Sequence, residues 1–247
     1  MNQADLINPD WPAPANIQAV ISTRNGGVSN GPFASLNLGN HVGDDIAHVA
    51  ENRRRFCSRL PQPPAWLRQV HGTHVAYAHD VPTLPEAGAD ASVTDRAGVP
   101  CVVMVADCLP VLFCDTAGTV VGAAHAGWRG LCAGVLQNTV AAMQVNPADI
   151  IAYMGPAIGP QAFEVGAEVR AAFMAIEADA AESFSAIGHE KYFADIYKLA
   201  KLFLARAAVG KIYGGEFCTV GEPERFFSYR RDGVTGRMAA AVWLEKL

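Results

Sequence analysis

Long apolar runs are missing from the 247-residue sequence, whose strongest apolar stretch is the strand-like CVVMVADCLPVLFC at 101–114. None approaches the roughly 20 residues that a helix needs to cross a bilayer. The N-terminal stretch MNQADLINPDWPAPAN also lacks the basic and apolar regions of a secretory signal. We therefore expect no membrane contact and no export, and we predict a cytoplasmic protein.

An excess of positive charge is also missing, because 19 Lys and Arg face 24 Asp and Glu and the net charge is -5. A nucleic-acid-binding surface would need clustered Lys and Arg, so no nucleic-acid partner is expected. The dense run Arg53-Arg54-Arg55 falls within a helical pattern and is interpreted as a solvated helix face.

Paired cysteines are absent too, since the six cysteines are scattered and form no CxxC motif. Disulfides are therefore not expected. With 51% hydrophobic residues and neither repeats nor low-complexity segments, the chain can bury a large core. We predict one domain over residues 1–247 and a monomer.

The apolar periodicity alternates between helical and extended patterns along the chain. Helical patterns cover 46–60, 131–143, 167–180 and 192–209. Extended patterns cover 19–23, 99–106, 111–114, 119–124, 150–153, 211–219 and 239–244. The sequence predicts an α/β (α+β) fold, a single layered domain of mixed β-sheets covered by helices.

Two extended runs flank a turn signal at 115–118, which predicts a β-hairpin. A tight turn there would place Cys108 directly opposite His125, with Cβ atoms about 4.5–5.5 Å apart. Pro110 could slip the pairing by one residue and separate the two side chains.

The segment QVHGTHV offers a third ligand, His71 or His74, from a separate loop. Three protein ligands with one open position are typical of catalytic zinc. Copper also accepts His-Cys-His ligation. We predict a zinc site, with copper as the alternative, at the hairpin plus this loop.

Over nearly its whole length the chain resembles the YfiH-like proteins, which are labelled multicopper polyphenol oxidoreductases (laccases) and described as purine nucleoside phosphorylases. The resemblance assigns the metal to His71, Cys108 and His125, which leaves His74 as the weaker candidate. The matching motifs are STRNGGVS, SLNLGNHVGDD, QVHGTHV, ADASVT, ADCLPVLF, AAHAGWRG, GPAIGPQAFEVG and FFSYRRDGVTGR.

The laccase label conflicts with the composition, because a multicopper oxidase needs many imidazoles and His-x-His pairs. This chain has seven His and no such pair. The resemblance instead implies phosphorolysis of adenosine, inosine, guanosine and methylthioadenosine, and deamination of adenosine. Zinc-activated water, which other nucleobase deaminases use, accounts for the deamination.

Nucleosides and phosphate are thus the expected partners, and the motifs offer candidate contacts. Arg129 follows His125 at a predicted helix start, where backbone N–H groups and its guanidinium could bind phosphate. Arg24, Arg230 and Arg231 are further candidates, although each alone is more often a surface ion-pair partner.

Three polar residues have open roles. Asn37 and His41 in SLNLGNHVGDD either bind ribose hydroxyls or cap turns. Asp107, beside Cys108, is either a supporting hydrogen-bond acceptor or a proton carrier in catalysis.

Two other hypotheses about the function remain. Cys108 activated by His125 could be the nucleophile of a thiol hydrolase or amidase acting in peptidoglycan precursor editing, a substrate class that the resemblance supports. The chain could also be a metal-stabilised binding module without turnover.

Overall fold

The computed structural model describes residues 5–80 and 88–245. Within these ranges the strands are β1 (Leu6–Ile7), β2 (Ile17–Ser22), β3 (Val75–Tyr77), β4 (Ala91–Thr94), β5 (Cys101–Val105), β6 (Leu109–Asp115), β7 (Val121–Ala126), β8 (Ile150–Met154), β9 (Glu164–Gly166), β10 (Phe184–Gly188), β11 (Lys191–Ala194), β12 (Lys211–Gly214) and β13 (Met238–Leu244). The α-helices are α1 (Ile46–Cys57), α2 (Trp128–Ala133), α3 (Val135–Ala142), α4 (Ala167–Ile176), α5 (Ile196–Arg206) and α6 (Tyr229–Asp232).

A six-stranded sheet in the order β12-β8-β6-β7-β4-β3 forms the centre of the described structure. Its two outer pairs, β12 with β8 and β3 with β4, are parallel, and the inner pairs are antiparallel. A four-stranded antiparallel sheet, β1-β2-β13-β5, and a three-stranded sheet, β10-β11-β9, complete the strands. The predicted α+β class with mixed sheets and helices is confirmed.

Both faces of the six-stranded sheet are buried, because successive side chains of a strand point to opposite faces. On β6, Leu112 packs with the residues of the four-stranded sheet, among them Val103 and Val242. Its neighbour Phe113 packs in the cluster that contains α3 and α5, including Phe203. Sheet-on-sheet packing on one side and helices on the other thus fix the central strands.

Some predicted boundaries were wrong because local capping overrides periodicity. The helix predicted over 192–209 begins only at Ile196, since the Asp195 carboxylate caps it by accepting bonds from the N–H groups of Tyr197 and Lys198, each at 3.0 Å. The helix predicted over 131–143 is divided between α2 and α3 at Gly134, whose φ of 103° lies in the left-handed region.

The hairpin of β6 and β7 pairs in a different register from the predicted one. His125 lies opposite Pro110, and Ala126 lies opposite Leu109, so the predicted direct pairing of Cys108 with His125 was wrong by two positions. An offset of two leaves both residues on the same face, whereas the one-residue slip that Pro110 could have caused would have separated them. Pro110 itself lies within β6, opposite His125 of β7.

The register differs because the loop is longer than the predicted tight turn. The Asp115 carboxylate accepts bonds from the Thr119 N–H at 2.6 Å, the Thr119 hydroxyl at 2.7 Å and the Val120 N–H at 3.0 Å. These bonds satisfy polar groups that a tight turn would have paired across the hairpin.

Asp115→Ala should therefore lower the free energy of unfolding by about 1–3 kcal/mol, because two buried or half-buried N–H groups lose their acceptor. Burial raises the pKa of the Asp115 carboxyl, but bonds from Val120 and Thr119 outweigh it and hold the pKa below its usual value. The stabilisation is therefore present at neutral pH and lost as the pH falls through the folded-state pKa. Urea unfolding at pH 7 measures the effect, with the exposed Asp179→Ala as control; equal stability of the two variants would contradict it.

No helix within the described ranges has the length and apolarity needed to span a bilayer.

Candidate metal centre

Three side chains from three separate segments meet at one end of the central strands β6 and β7 of the six-stranded sheet. His71 lies in the loop before β3, Cys108 immediately precedes β6, and His125 is near the end of β7. Their ligand atoms all lie within 4.8 Å of one another. The distance from Cys108 Sγ to His71 Nε2 is 3.9 Å, and the two imidazole centroids are 4.8 Å apart. Together they form a His-Cys-His group that could hold a metal.

The ligand atoms lie somewhat farther apart than those around a bound tetrahedral ion, so that binding would draw them together. With Zn–S near 2.3 Å and Zn–N near 2.0–2.1 Å, ligand atoms in a tetrahedral site lie about 3.5 Å apart. Gly127 leaves this space open, because a Cβ there would lie 3.0 Å from both Cys108 Sγ and His71 Cδ2. A side chain at 127 would crowd the group.

Asp90 joins two of the three side chains and was missed by the sequence analysis. Its fully buried carboxylate accepts a bond from His125 Nδ1 at 2.9 Å and bonds from the N–H groups of Val70, His71 and Gly72 at 2.7–3.1 Å. The bond to Nδ1 leaves Nε2 of His125 free to bind an ion. The motif ADASVT contains Asp90, and a carboxylate ahead of a buried strand was the signal available.

The electrostatics of the group favour a thiolate. Burial raises the pKa of the Cys108 thiol, but the charge of His125 and hydrogen bonds from His125 and His71 outweigh it and lower the pKa to about 6. Burial alone would lower the pKa of His125, but the Cys108 thiolate and Asp90 raise it. Because the thiolate is the form that binds metals, the group is suited to a cation.

Asp90→Asn should weaken metal binding by about 10- to 100-fold, as loss of a carboxylate behind a ligating histidine does elsewhere. The asparagine amide has a single acceptor oxygen, so it cannot accept bonds from both the N–H groups of the 70–72 loop and the ring of His125. Titration with zinc against a competing chelator measures the affinity. Asp95→Asn, at an exposed position just after β4, is the matched control, and equal affinities for both variants would contradict the role of Asp90.

A cavity of about 870 Å³ opens beside the group, with His71, Cys108 and His125 in its wall. Three arginines, Arg53, Arg68 and Arg237, also line it. No carboxylate is found among its lining residues in the described ranges. The cavity is therefore positively charged and suited to an anionic ligand.

The position of Arg53 contradicts the prediction of a solvated helix face, and Arg237 was not among the predicted site residues. Arg54 and Arg55 form salt bridges with Glu51, as expected for residues on a solvated helix face. Arg53 instead stacks on Trp66, 4.3 Å from the ring centroid, and lines the cavity. The solvated-face prediction was therefore wrong for Arg53.

The two residues predicted to bind ribose or cap turns lie in different surroundings. His41 lines the cavity, and its pKa is lowered by burial and then by the charges of Arg237 and Arg53. Asn37 is fully buried, and its side chain bonds the N–H groups of Gly39 and Arg237 and the Asp44 carboxylate at 2.9 Å each. Asn37 therefore holds a turn behind the cavity wall.

The predicted phosphate ligands lie outside the cavity lining. Arg24 donates to the carbonyls of Ala34 and Pro223, each at 2.9 Å, and Arg230 donates to the Glu164 carbonyl at 2.9 Å. Arg231 pairs with Asp232 and with main-chain carbonyls. The helix start predicted near Arg129 is found, since α2 begins at Trp128 with Gly127 as its N-cap. The Arg129 side chain is exposed and lies over the Trp128 ring at 4.4 Å.

Asp107 supports the backbone next to Cys108. Its φ of 90° lies in the left-handed region, which is uncommon for a residue with a side chain. Its carboxylate accepts bonds from the Thr219 hydroxyl and the Arg230 N–H, both at 2.6 Å. His74 lies apart from the group, donating from Nδ1 to the Gly88 carbonyl at 2.9 Å.

Fold and site together define an α+β protein with a His-Cys-His group at the edge of a cationic cavity. A family model described as multi-copper polyphenol oxidoreductase laccase matches residues 18–245, and the chain belongs to this family.

Similar proteins carry a second description. The chain is 56% identical over 241 residues to an Escherichia coli K12 protein named purine nucleoside phosphorylase YfiH, a match that covers 97% of this chain and 98% of that protein. A Pseudomonas aeruginosa protein, also named purine nucleoside phosphorylase, is 52% identical over 240 residues, covering 97% and 98% of the two chains. The crystal structure of a Neisseria meningitidis protein is similar with a TM-score of 0.96 at 55% identity, covering 98% of this chain and 100% of that one. These names support an enzyme of the purine nucleoside phosphorylase kind.

Proposed function

We propose that the chain is a zinc-dependent purine nucleoside phosphorylase that acts on adenosine, inosine, guanosine and methylthioadenosine and also deaminates adenosine. We further propose that it works in the cytoplasm as a monomer of one domain. The observation that carries the proposal is the opening of a His-Cys-His group onto a cavity with three arginines and no carboxylate among its described lining residues. The relatives named purine nucleoside phosphorylase point the same way.

The ligand set supports zinc and argues against laccase chemistry. One thiolate and two imidazoles suit zinc or copper, and three protein ligands leave a position open for substrate or water. The described residues contain one such group, whereas a multicopper oxidase needs several copper sites. When bound, the metal would supply Lewis acidity and would activate water for deamination.

The residues around the group would bind and orient the reactants. In phosphorolysis a phosphate oxygen forms a bond to C1′ of the ribose, the bond from C1′ to the purine nitrogen breaks, and the purine leaves with that electron pair. Arg237 is our candidate for holding the phosphate, because it lines the same cavity as His71, Cys108 and His125. Charge-assisted bonds from a guanidinium fix a phosphate in one orientation.

A second candidate function rests on the same residues. Cys108, His125 and Asp90 stand in the order nucleophile, base and orienting carboxylate, and the pKa of the Cys108 thiol is lowered to about 6. This arrangement is typical of thiol hydrolases, and an amidase acting on a peptidoglycan precursor would use it without a metal. A chelator should leave such an enzyme active, whereas alkylation of Cys108 should inactivate it.

One experiment separates these functions. Metal content of the purified protein is measured, and the products from adenosine are then separated by chromatography with and without phosphate. The proposal expects stoichiometric zinc, adenine formed only with phosphate, and inosine formed in both conditions. Activity that survives complete removal of the metal, or the absence of both products, would refute it.

A further inference from the structure

The three arginines of the cavity have no acidic partner within the described part of the chain. The ion pairs found there use other arginines, and the described lining contains no carboxylate. Arg53 and Arg237 are each half-buried. Because a half-buried cation that forms no direct ion pair is costly, such groups favour bound anions.

The guanidinium groups of Arg53 and Arg237 have different contacts, although both residues bond to Leu38, Arg53 through its side chain and Arg237 through its main-chain carbonyl. Arg53 projects from α1, stacks on Trp66, donates from Nε to the Leu38 carbonyl at 2.9 Å and has Nη2 3.9 Å from Met104 Sδ. Arg237 precedes β13 and donates from Nη1 to the Thr235 and Gly236 carbonyls at 3.1 and 3.0 Å. Each guanidinium is thus held by its own set of contacts.

The two arginines also act on different groups. The pKa of Arg237 responds, after burial, to Cys108, Asp107 and Tyr229, whereas that of Arg53 responds to Cys57. His41 is the group on which both act. Both arginines therefore lie near His41. Their guanidinium groups contact different residues, Trp66 and Met104 for Arg53 and the Thr235 and Gly236 carbonyls for Arg237, which favours two separate anion positions over a single clamp.

Phosphorolysis uses only one inorganic phosphate, and the cavity has room for more than a nucleoside beside it. Its volume of about 870 Å³ is near the upper end of the roughly 300–1,000 Å³ usual for small-molecule sites.

We infer that Arg53 forms a second anion position that binds an anionic group carried by the substrate itself, so that nucleoside 5′-monophosphates are ligands of this cavity. The inference rests on the proposed function, in which Arg237 takes inorganic phosphate. His41 lines the same cavity and lies near both arginines.

Equilibrium calorimetry on the full-length protein in phosphate-free buffer tests the inference. The titrants are adenosine, adenosine 5′-monophosphate and an adenosine bearing a carboxylate substituent on N6. The monophosphate should bind at least about tenfold more tightly than adenosine, because it adds a charge-assisted contact. Arg53→Gln should weaken the monophosphate about 10- to 100-fold more than it weakens adenosine, and Arg53→Lys should recover part of that loss.

Arg54→Gln is the matched control, because Arg54 lies on the same helix, pairs with Glu51 and is exposed. It should leave both affinities unchanged, and thermal unfolding of all variants checks that Arg53→Gln folds. The inference is overturned if the monophosphate binds no better than adenosine, if only the N6-carboxylate ligand depends on Arg53, or if Arg53→Gln weakens inorganic phosphate as much as the monophosphate. Absence of adenine from adenosine and phosphate would instead count against the proposed function, and the binding result would stand separately.

Discussion

Replacing Cys108 with alanine should reduce nucleoside turnover by more than about a hundredfold, because loss of even an indirect metal contact costs 10- to 100-fold. The thiolate would be a metal ligand, and it is the negative charge that balances His125. Metal content should fall with activity. The fold should persist, because Cys108 lies outside β6, at the cavity wall, and alanine removes only one sulfur atom.

Cys57→Ala is the control for this variant. Cys57 lies at the end of α1, outside the His-Cys-His group, so its removal should leave turnover and metal content unchanged. Steady-state kinetics, metal analysis and thermal unfolding are measured on all three proteins. Full activity in Cys108→Ala would refute the site assignment, and a metal-free but fully active Cys108→Ala would refute the metal dependence as well.

Arg237→Gln should raise the phosphate KM by roughly 10- to 150-fold, which corresponds to the 1.5–3 kcal/mol of a charge-assisted contact. Deamination uses water and no phosphate, so adenosine deamination should lose much less. The two reactions, measured in one preparation, therefore separate a phosphate ligand from a residue that supports the fold. An equal loss in both reactions would assign Arg237 to support of the cavity wall.

Arg129→Ala tests the rival position at the start of α2. The sequence predicts a raised phosphate KM for this variant too, but Arg129 is exposed and lies outside the cavity lining. We therefore expect a smaller effect than at Arg237. A large rise in phosphate KM for Arg129→Ala with none for Arg237→Gln would move the phosphate to α2.

The sequence predicted the central elements of the fold because their signals are local. β6, β7, β8 and β13 are apolar runs bounded by turn residues, and α1 has a regular helical period. Short strands were missed because they are defined by the strands they pair with and not by a periodicity of their own. β11, for example, was taken as the start of a helix, although Lys191–Ala194 pairs with both β9 and β10.

The candidate site likewise contains residues that the sequence indicates and residues that only the fold reveals. The predicted hairpin singled out Cys108 and His125, and the resemblance to the YfiH-like proteins selected His71 over His74. Asp90 and Arg237 are ordinary residue types whose importance comes from the groups they face. Arg53 was assigned to solvent with Arg54 and Arg55, because a run of like charges does not reveal which member turns inward onto Trp66.

The position of β3 has a consequence for how the protein would lose activity on heating. Among the described residues β3 is a three-residue edge strand that pairs with β4 alone, and His71 lies in the loop that leads into it. Edge strands open at lower free energy than central ones. Such an opening, extended to the bonds between the 70–72 loop and Asp90, would carry His71 away while β6 and β7 still hold Cys108 and His125. Inactivation should therefore begin below the melting temperature and reverse on cooling, as a local event at one edge of an otherwise folded protein.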